Sequence, residues 1–283
     1  MQQNIKEEDS LTLLVKRIIE IFSLEFNVNK KEVALLLAHI AGLSYTELFF
    51  MEYIKISDNK FISFINGLHR LEAKEPLSKI LQKKEFYDIE FDTTRDTLDP
   101  RPETELIIDL FKKYYGDIST ELRILDLGCG TGCIGLTILN LYKNALCLFV
   151  DISQGALNVA ETNSQKLDLR GRSLFQISDW FTDVSGQFDA IVSNPPYIAK
   201  GCKVSKSVLY DPKVALFAGK DGMDAYKKII PEANEFLKQN GLLFIEIGLG
   251  QKSRVTDFNS KLSVLEVAKD LSGVDRTIVF KNG

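Results

Sequence analysis

From Leu122 onward, short apolar runs alternate with runs of helical period, and that alternation leaves few folds open. Arg123 to Leu127, Ala145 to Val150, Ser173 to Ile177 and Phe188 to Ser193 have the length of buried strands. Gly132 to Tyr142, Ser153 to Lys166 and Gly222 to Leu237 carry the helical spacing between and after them. A strand–helix–strand repeat lays its strands parallel in one sheet and its helices on both faces. Leu242 to Ile247 adds a further strand, and Val264 to Ala268 with Thr277 to Phe280 suit a terminal hairpin. The expected fold is α/β: a Rossmann-like, doubly wound, mostly parallel sheet ending in an antiparallel hairpin. In such sheets ligands lie at the carboxyl ends of the strands, where strand order reverses.

Upstream the pattern changes. Leu11, Leu14, Val15, Ile18, Ile19 and Phe22 follow helical spacing. Asn29 with Glu32, and Ser44 with Glu47, have the spacing of helix N-caps, and Gly42 suits a helix stop. Asn59 to Ala73 reads as a further amphipathic helix. Residues 1–75 are thus expected to form a small helical domain, either a packing cap or a partner-docking module. Residues 76–100 read as a connector with a short hairpin over Phe86 to Asp92, and residues 101–283 as the main domain.

Composition narrows the function. At 283 residues and 45% hydrophobic, the chain can bury a large core. A net charge of −4 argues against a broad nucleic-acid face, so no direct nucleic-acid partner is expected. The polar, acidic start over residues 1–9 does not read as a signal peptide, and no apolar run approaches the ~20 residues that span a bilayer. A cytoplasmic monomer with no membrane partner is expected. Cys129, Cys133, Cys147 and Cys202 lack zinc-type spacing, and His39 and His69 lie on helical patterns, so no metal is expected.

Two motifs carry chemistry. The first is Asp126-Leu127-Gly128-Cys129-Gly130-Thr131-Gly132, closing the first strand of the sheet. Its glycines let the backbone turn tightly against a ligand. The third comes too early for a dinucleotide fingerprint, and Asp126 would repel a pyrophosphate. A cationic, phosphate-free nucleoside such as S-adenosylmethionine suits the loop. Asp151, about 20 positions on, can accept from ribose hydroxyls. Asp179 can accept from an adenine amine, and Trp180 can pack on the adenine face.

The second motif is Asn194-Pro195-Pro196-Tyr197, directly after the strand Phe188 to Ser193. Consecutive prolines make a stiff corner without N–H groups. The Asn194 side-chain carbonyl and the Pro195 backbone carbonyl would then present two acceptors beside the Tyr197 ring. Such a corner can hold a planar group bearing an NH2, either a carboxamide or an exocyclic base amine.

Taken in this order, the motifs resemble the class I S-adenosylmethionine-dependent methyltransferases. Within them the chain looks like the HemK-type glutamine-N5 methyltransferases of peptide chain release factors. Arg101-Pro102-Glu103-Thr104-Glu105 matches a family signature, as do Asp151-Ile152-Ser153, Glu246-Ile247-Gly248 and Asp275-Arg276. The chain departs from the pattern at Asp99-Pro100, at Asp211 and at Lys200, Lys203 and Lys206. The resemblance implies methyl transfer from S-adenosylmethionine to the glutamine amide of a Gly-Gly-Gln motif, with S-adenosylhomocysteine as product. It also implies that the N-terminal helices meet the release factor and that Asn194, Pro195, Pro196, Tyr197 and Arg101 contact the acceptor. Gly128, Cys129, Gly130, Thr131, Gly132, Asp151, Asp179, Trp180 and Asn194 would hold the donor. Rival activities are amino methylation of nucleic-acid bases, dinucleotide-dependent oxidoreduction, and a non-catalytic adaptor role.

Overall fold

A computed structural model describes residues 10–258 and 261–283, and the acidic start read above lies outside the described residues. The chain divides into two units between Gln82 and Lys83.

In the first unit, β1 (Ser10–Leu14) leads directly into α1 (Val15–Glu25), followed by α2 (Lys30–Ala41) and α3 (Tyr45–Phe50). Then come β2 (Tyr53–Ser57), α4 (Asp58–Glu72) and α5 (Leu77–Leu81). Asn29, Gly42 and Ser44 cap as expected, but Asn29 accepts from Lys31 and not from its expected partner Glu32. Asn29 Oδ1 accepts from Lys31 N at 2.8 Å, Gly42 closes α2 in the left-handed region at φ 82°, and Ser44 with Glu47 forms a reciprocal capping box.

One expectation is corrected. Leu11 and Leu14 do not open a helix; they lie on β1, antiparallel to β2, with Leu11 opposite Ile56 and Leu14 opposite Tyr53. The apolar positions of residues 11–14 fit either period, and pairing with Tyr53–Ser57 decides for the strand. The unit buries a core of its own, with Val33, Leu37, Phe64 and Leu68 fully enclosed.

The second unit begins with a hairpin of β3 (Lys83–Phe86) and β4 (Ile89–Asp92), turned by Tyr87 and Asp88 at φ 51° and 60°. A 3-10 turn at Pro102–Thr104 enters α6 (Glu105–Tyr114). The alternating segment follows as β5 (Arg123–Leu127), α7 (Cys133–Leu141), β6 (Leu146–Asp151), α8 (Gln154–Lys166), β7 (Ser173–Ile177) and β8 (Phe188–Ser193). After a short α9 (Lys213–Leu216) come α10 (Asp224–Phe236), β9 (Leu237–Glu246) and α11 (Lys252–Thr256), then β10 (Leu262–Lys269) and β11 (Asp275–Asn282).

The sheet has seven strands in the order β10-β11-β9-β8-β5-β6-β7. Pairing is parallel from β9 to β7 and antiparallel on both sides of β11. The main ladder of β9 with β8 starts at Leu242, after a register shift that accommodates Asn240 at φ 64°. Alternate side chains feed two cores. Ile124, Phe149, Val192 and Phe244 pack with α6, α7 and α8 on one face, while Leu125, Val150, Ile191 and Ile245 pack with α10 on the other. Central strands buried on both faces explain the continuous apolar runs. The chain runs outward through β5, β6 and β7, then returns to place β8 on the other side of β5. Order therefore reverses between β5 and β8, and the two motifs emerge side by side there.

Among the described residues, no helix is long and apolar enough to cross a membrane.

Candidate active site

The glycine loop leaves the end of β5 with Gly128, Gly130 and Gly132 at φ 75°, 55° and 76°. Gly128 N and Cys129 N both donate to Val150 O, at 2.8 and 2.9 Å, which pins the loop to the end of β6. A Cβ on Gly130 would meet nothing within 4 Å, so the loop floor is open. A Cβ on Gly132 would come within 3.1 Å of Ala160, so that glycine serves the packing of α7 on α8.

Asp151 ends β6. Its Oδ2 accepts from Gly130 N and its Oδ1 from Ser153 N, each at 2.9 Å. Burial raises this carboxyl from its ordinary range. Each oxygen retains a lone pair for a further donor. Asp126 does not join it in the cleft. It lies beneath the loop, buried, with Oδ2 accepting from Gly135 N at 2.9 Å and Oδ1 without a partner among the described residues. Burial pushes that carboxyl up to about 7.

After β7, Trp180 takes φ 54° and lays its ring against Gly128, where a Cβ would stand 3.4 Å away. Asp179 is exposed, and one of its oxygens accepts from Lys228 Nζ at 2.7 Å. These elements enclose a cavity of about 380 Å³, a volume suited to a small organic ligand. Gly128 to Thr131, Asp151, Asp179, Trp180, Asn194 and Pro196 line it, together with Arg101 from before α6.

The second motif straddles two spaces. Asn194 and Pro196 face the first cavity, while Asn194, Pro195 and Tyr197 face a neighbouring one of about 280 Å³. Arg101 borders both, its guanidinium held by the Asp211 carboxylate at 2.5 Å. Asn194 Nδ2 donates to Thr104 Oγ1 at 2.9 Å, and Thr104 in turn donates to Glu246 Oε2 at 2.6 Å. Glu246 Oε1 accepts from the Tyr197 hydroxyl at 3.3 Å. Neither Asn194 Oδ1 nor the Pro195 carbonyl has a hydrogen-bond partner among the described residues. Burial pushes the Glu246 carboxyl up to about 7, against the opposing pull of Thr104, Arg276 and Tyr197. Burial and the adjacent Glu246 push the Tyr197 phenol well above its ordinary range.

The backbone beyond the corner is also held. Gln251 Nε2 donates to Tyr197 O at 2.9 Å, and Gln251 Oε1 accepts from Gly248 N and the Tyr226 hydroxyl. Ile198 N donates to Leu216 O, and Ala218 N donates to Ile198 O, each at 2.9 Å.

The expected site residues thus gather at one end of the sheet, with three exceptions of position: Gly132 packs helices, and Pro195 and Tyr197 face the second cavity. Thr104, Glu246 and Gln251 carried no chemical assignment in the sequence. A charged residue inside the apolar run Leu242 to Ile247 was the available signal for Glu246.

This arrangement defines a class I methyltransferase: a doubly wound sheet with an antiparallel hairpin, a glycine loop over β5 and an Asn-Pro-Pro-Tyr corner over β8. The crystal structure of a methyltransferase from Pyrococcus furiosus matches the fold at a TM-score of 0.51, with 15% identity over 80% of this chain and 98% of that one. A Thermus thermophilus 16S rRNA N2 G1207 methyltransferase matches at 0.50 over 71% of this chain and 50% of that one. Residues 95–211 match the Methyltransferase small domain. The chain belongs to the release factor glutamine methyltransferase family. It is 34% identical to such a protein from Rhodospirillum rubrum over 89% of this chain and 78% of the relative. The corresponding protein from Agrobacterium fabrum is also 34% identical, over 88% and 89%. A bifunctional methyltransferase of Rickettsia conorii is 34% identical over 88% of this chain and 53% of its own length.

Proposed function

We propose that this enzyme transfers a methyl group from S-adenosylmethionine to the side-chain amide nitrogen of a release-factor glutamine. The single observation that carries the reading is the pair of free acceptors at the corner. Among the described residues Asn194 Oδ1 and the Pro195 carbonyl have no hydrogen-bond partner; Asn194 borders both cavities and Pro195 the second, while the other end of the Asn194 amide is tied to Thr104. A substrate carboxamide has two N–H donors on one planar nitrogen and matches two such acceptors.

For the donor, Asp151 would take the ribose hydroxyls and the Gly128–Thr131 loop would lie along the nucleoside. Trp180 would border the adenine, and Asp179, shared with Lys228, would accept from its amine. Asp151 beside the loop favours a cationic ligand over a phosphate. S-adenosylmethionine supplies a methyl carbon on a sulfonium, whose carbon–sulfur bond breaks as the carbon–nitrogen bond forms.

The protein's part is positioning. An amide nitrogen is a weak nucleophile because its lone pair is shared with the carbonyl. Two accepted hydrogen bonds raise electron density on that nitrogen and fix its approach, which is where orientation lowers the barrier most. Tyr197, anchored through Glu246, flanks the flat acceptor. The methylated nitrogen is strongly acidic, so its extra proton passes to water without a dedicated base. The family relatives named as release factor glutamine methyltransferases favour a protein amide over a base amine.

The test is Asn194→Ala, assayed with S-adenosylmethionine and a release factor, with mass spectrometry of the Gly-Gly-Gln peptide. Turnover should fall about 10²-fold or more with donor affinity nearly unchanged. Wild-type turnover in the variant, or methyl label on nucleic acid in place of the peptide, would overturn the reading.

A further inference from the structure

Asn194 can serve the clamp only if its carbonyl, not its NH2, faces the acceptor. The backbone does not decide that: rotation of the amide exchanges the two ends at almost no steric cost. The decision lies in a chain of hydrogen bonds that starts at a buried carboxylate.

Glu246 is 1% exposed at the end of β9. When ionised, it can only accept. Thr104, also buried, must therefore direct its single proton to Glu246 Oε2. That leaves the Thr104 oxygen as an acceptor, which the Asn194 NH2 satisfies at 2.9 Å. The polarity of each link fixes the next, and Asn194 Oδ1 is left for the substrate. The other carboxylate oxygen, Oε1, accepts from the Tyr197 hydroxyl. One carboxylate thus anchors both side chains of the corner.

We propose that Glu246 is a positioning residue: through Thr104 it sets which end of the Asn194 amide faces the acceptor, and directly it holds the Tyr197 ring. This deepens the proposed function and rests on its assignment of Asn194 to the acceptor amide.

A consequence concerns pH. Protonated Glu246 can donate to Thr104, which frees the Thr104 proton to point at Asn194 and permits the reversed amide. The groups that bear on its ionisation are Arg276 on β11, Glu103 before α6, Tyr197, Tyr226 on α10 and Cys133 on α7. Arg276 favours the charged form, while burial and Glu103 oppose it. Clamp polarity should therefore be lost as pH falls through the neutral range.

The experiment compares Thr104→Val, Thr104→Ser, Glu246→Gln and Asn194→Ala with the wild type. S-adenosylmethionine is the donor, a full-length release factor is the acceptor, and kcat is followed from about pH 5.5 to 9. Thr104→Val keeps the side chain's shape and loses the hydroxyl; its kcat should drop about 30-fold or more with donor Kd within about twofold. Thr104→Ser restores the relay and should recover kcat to within about threefold. Glu246→Gln offers Thr104 a carbonyl that does not titrate, so its kcat should lose the acidic limb expected of the wild type.

Wild-type kcat in Thr104→Val, equal damage in Thr104→Ser, or an unchanged acidic limb in Glu246→Gln would each overturn the relay. Should Thr104→Val fail to fold by thermal melting, the Glu246→Gln profile decides alone. Asn194→Ala separates the two levels. Loss of turnover there with intact Thr104→Val refutes the relay only, and full turnover in Asn194→Ala refutes the clamp itself.

Discussion

Arg101 and Asp211 meet at 2.5 Å although 110 positions separate them, and the carboxylate of the pair is buried while the guanidinium remains partly open. Asp211 also accepts from Asp99 N at 3.2 Å. The pair ties the segment carrying Pro212 and α9 to the residues entering α6, and both border the cavities. Arg101 is therefore a wall-holding residue before it is anything to the substrate.

Arg101→Ala removes the charged partner at Oδ2 of a buried carboxylate that keeps its bond from Asp99 N. The loss of stability should be about 1–3 kcal/mol, and the KM for the protein acceptor should rise. Denaturant unfolding and steady-state kinetics check both effects. Asp211→Asn, which leaves an exposed-side guanidinium free to hydrate, should cost less.

Asp151→Ala deletes the acceptor that joins Gly130 and Ser153. Donor affinity should fall about tenfold or more, because the sugar acceptors and the loop's anchor disappear together. Calorimetric titration with S-adenosylhomocysteine measures it, and unchanged affinity would remove Asp151 from the donor site.

Gly222 sits at φ 76°, and a Cβ there would stand 2.4 Å from the Tyr197 carbonyl and 2.9 Å from Gln251 Nε2. Gly222→Ala must displace the backbone of the corner. The expected result is about 1–3 kcal/mol of lost stability together with a fall in kcat. A thermal melt paired with single-turnover kinetics reads the two effects separately.

Asp126 gives a pH signature in stability. Its carboxyl is raised from 3.8 to about 7 by burial. The unfolded chain releases this proton near 3.8 and the folded chain holds it until about 7, so stability contributed by the protonated form is lost as pH rises through that window. Asp126→Asn should gain on the wild type steadily as pH rises across it, on the order of 1 kcal/mol per pH unit. Unfolding curves at pH values on either side of the window decide the sign.

How much of this could be read from the chain follows from range in sequence. The glycine loop and the Asn194–Tyr197 corner were legible because each is made of neighbours whose backbone constraints are local. Their meeting was legible too, since strand–helix alternation dictates a sheet with a switch point. β1 was not, because four residues fit helix and strand periods alike and only Tyr53–Ser57 decides between them. The Thr104–Glu246 link was hidden for a related reason: its partners lie 142 positions apart, and a threonine before a helix reads as an ordinary turn residue. Arg101 was singled out by the Arg-Pro-Glu-Thr-Glu signature, but the Asp211 carboxylate that occupies it is a tertiary fact.

The short parallel bridge between Ile198 and Phe217 has a bearing on how such an enzyme diversifies. It cinches the chain at both ends of a detour, so residues 199–216 form a collar hung from a fixed clasp. Replacements at its exposed positions, such as Lys203 and Lys206, leave the clasp untouched, and with it the setting of the Asn-Pro-Pro corner.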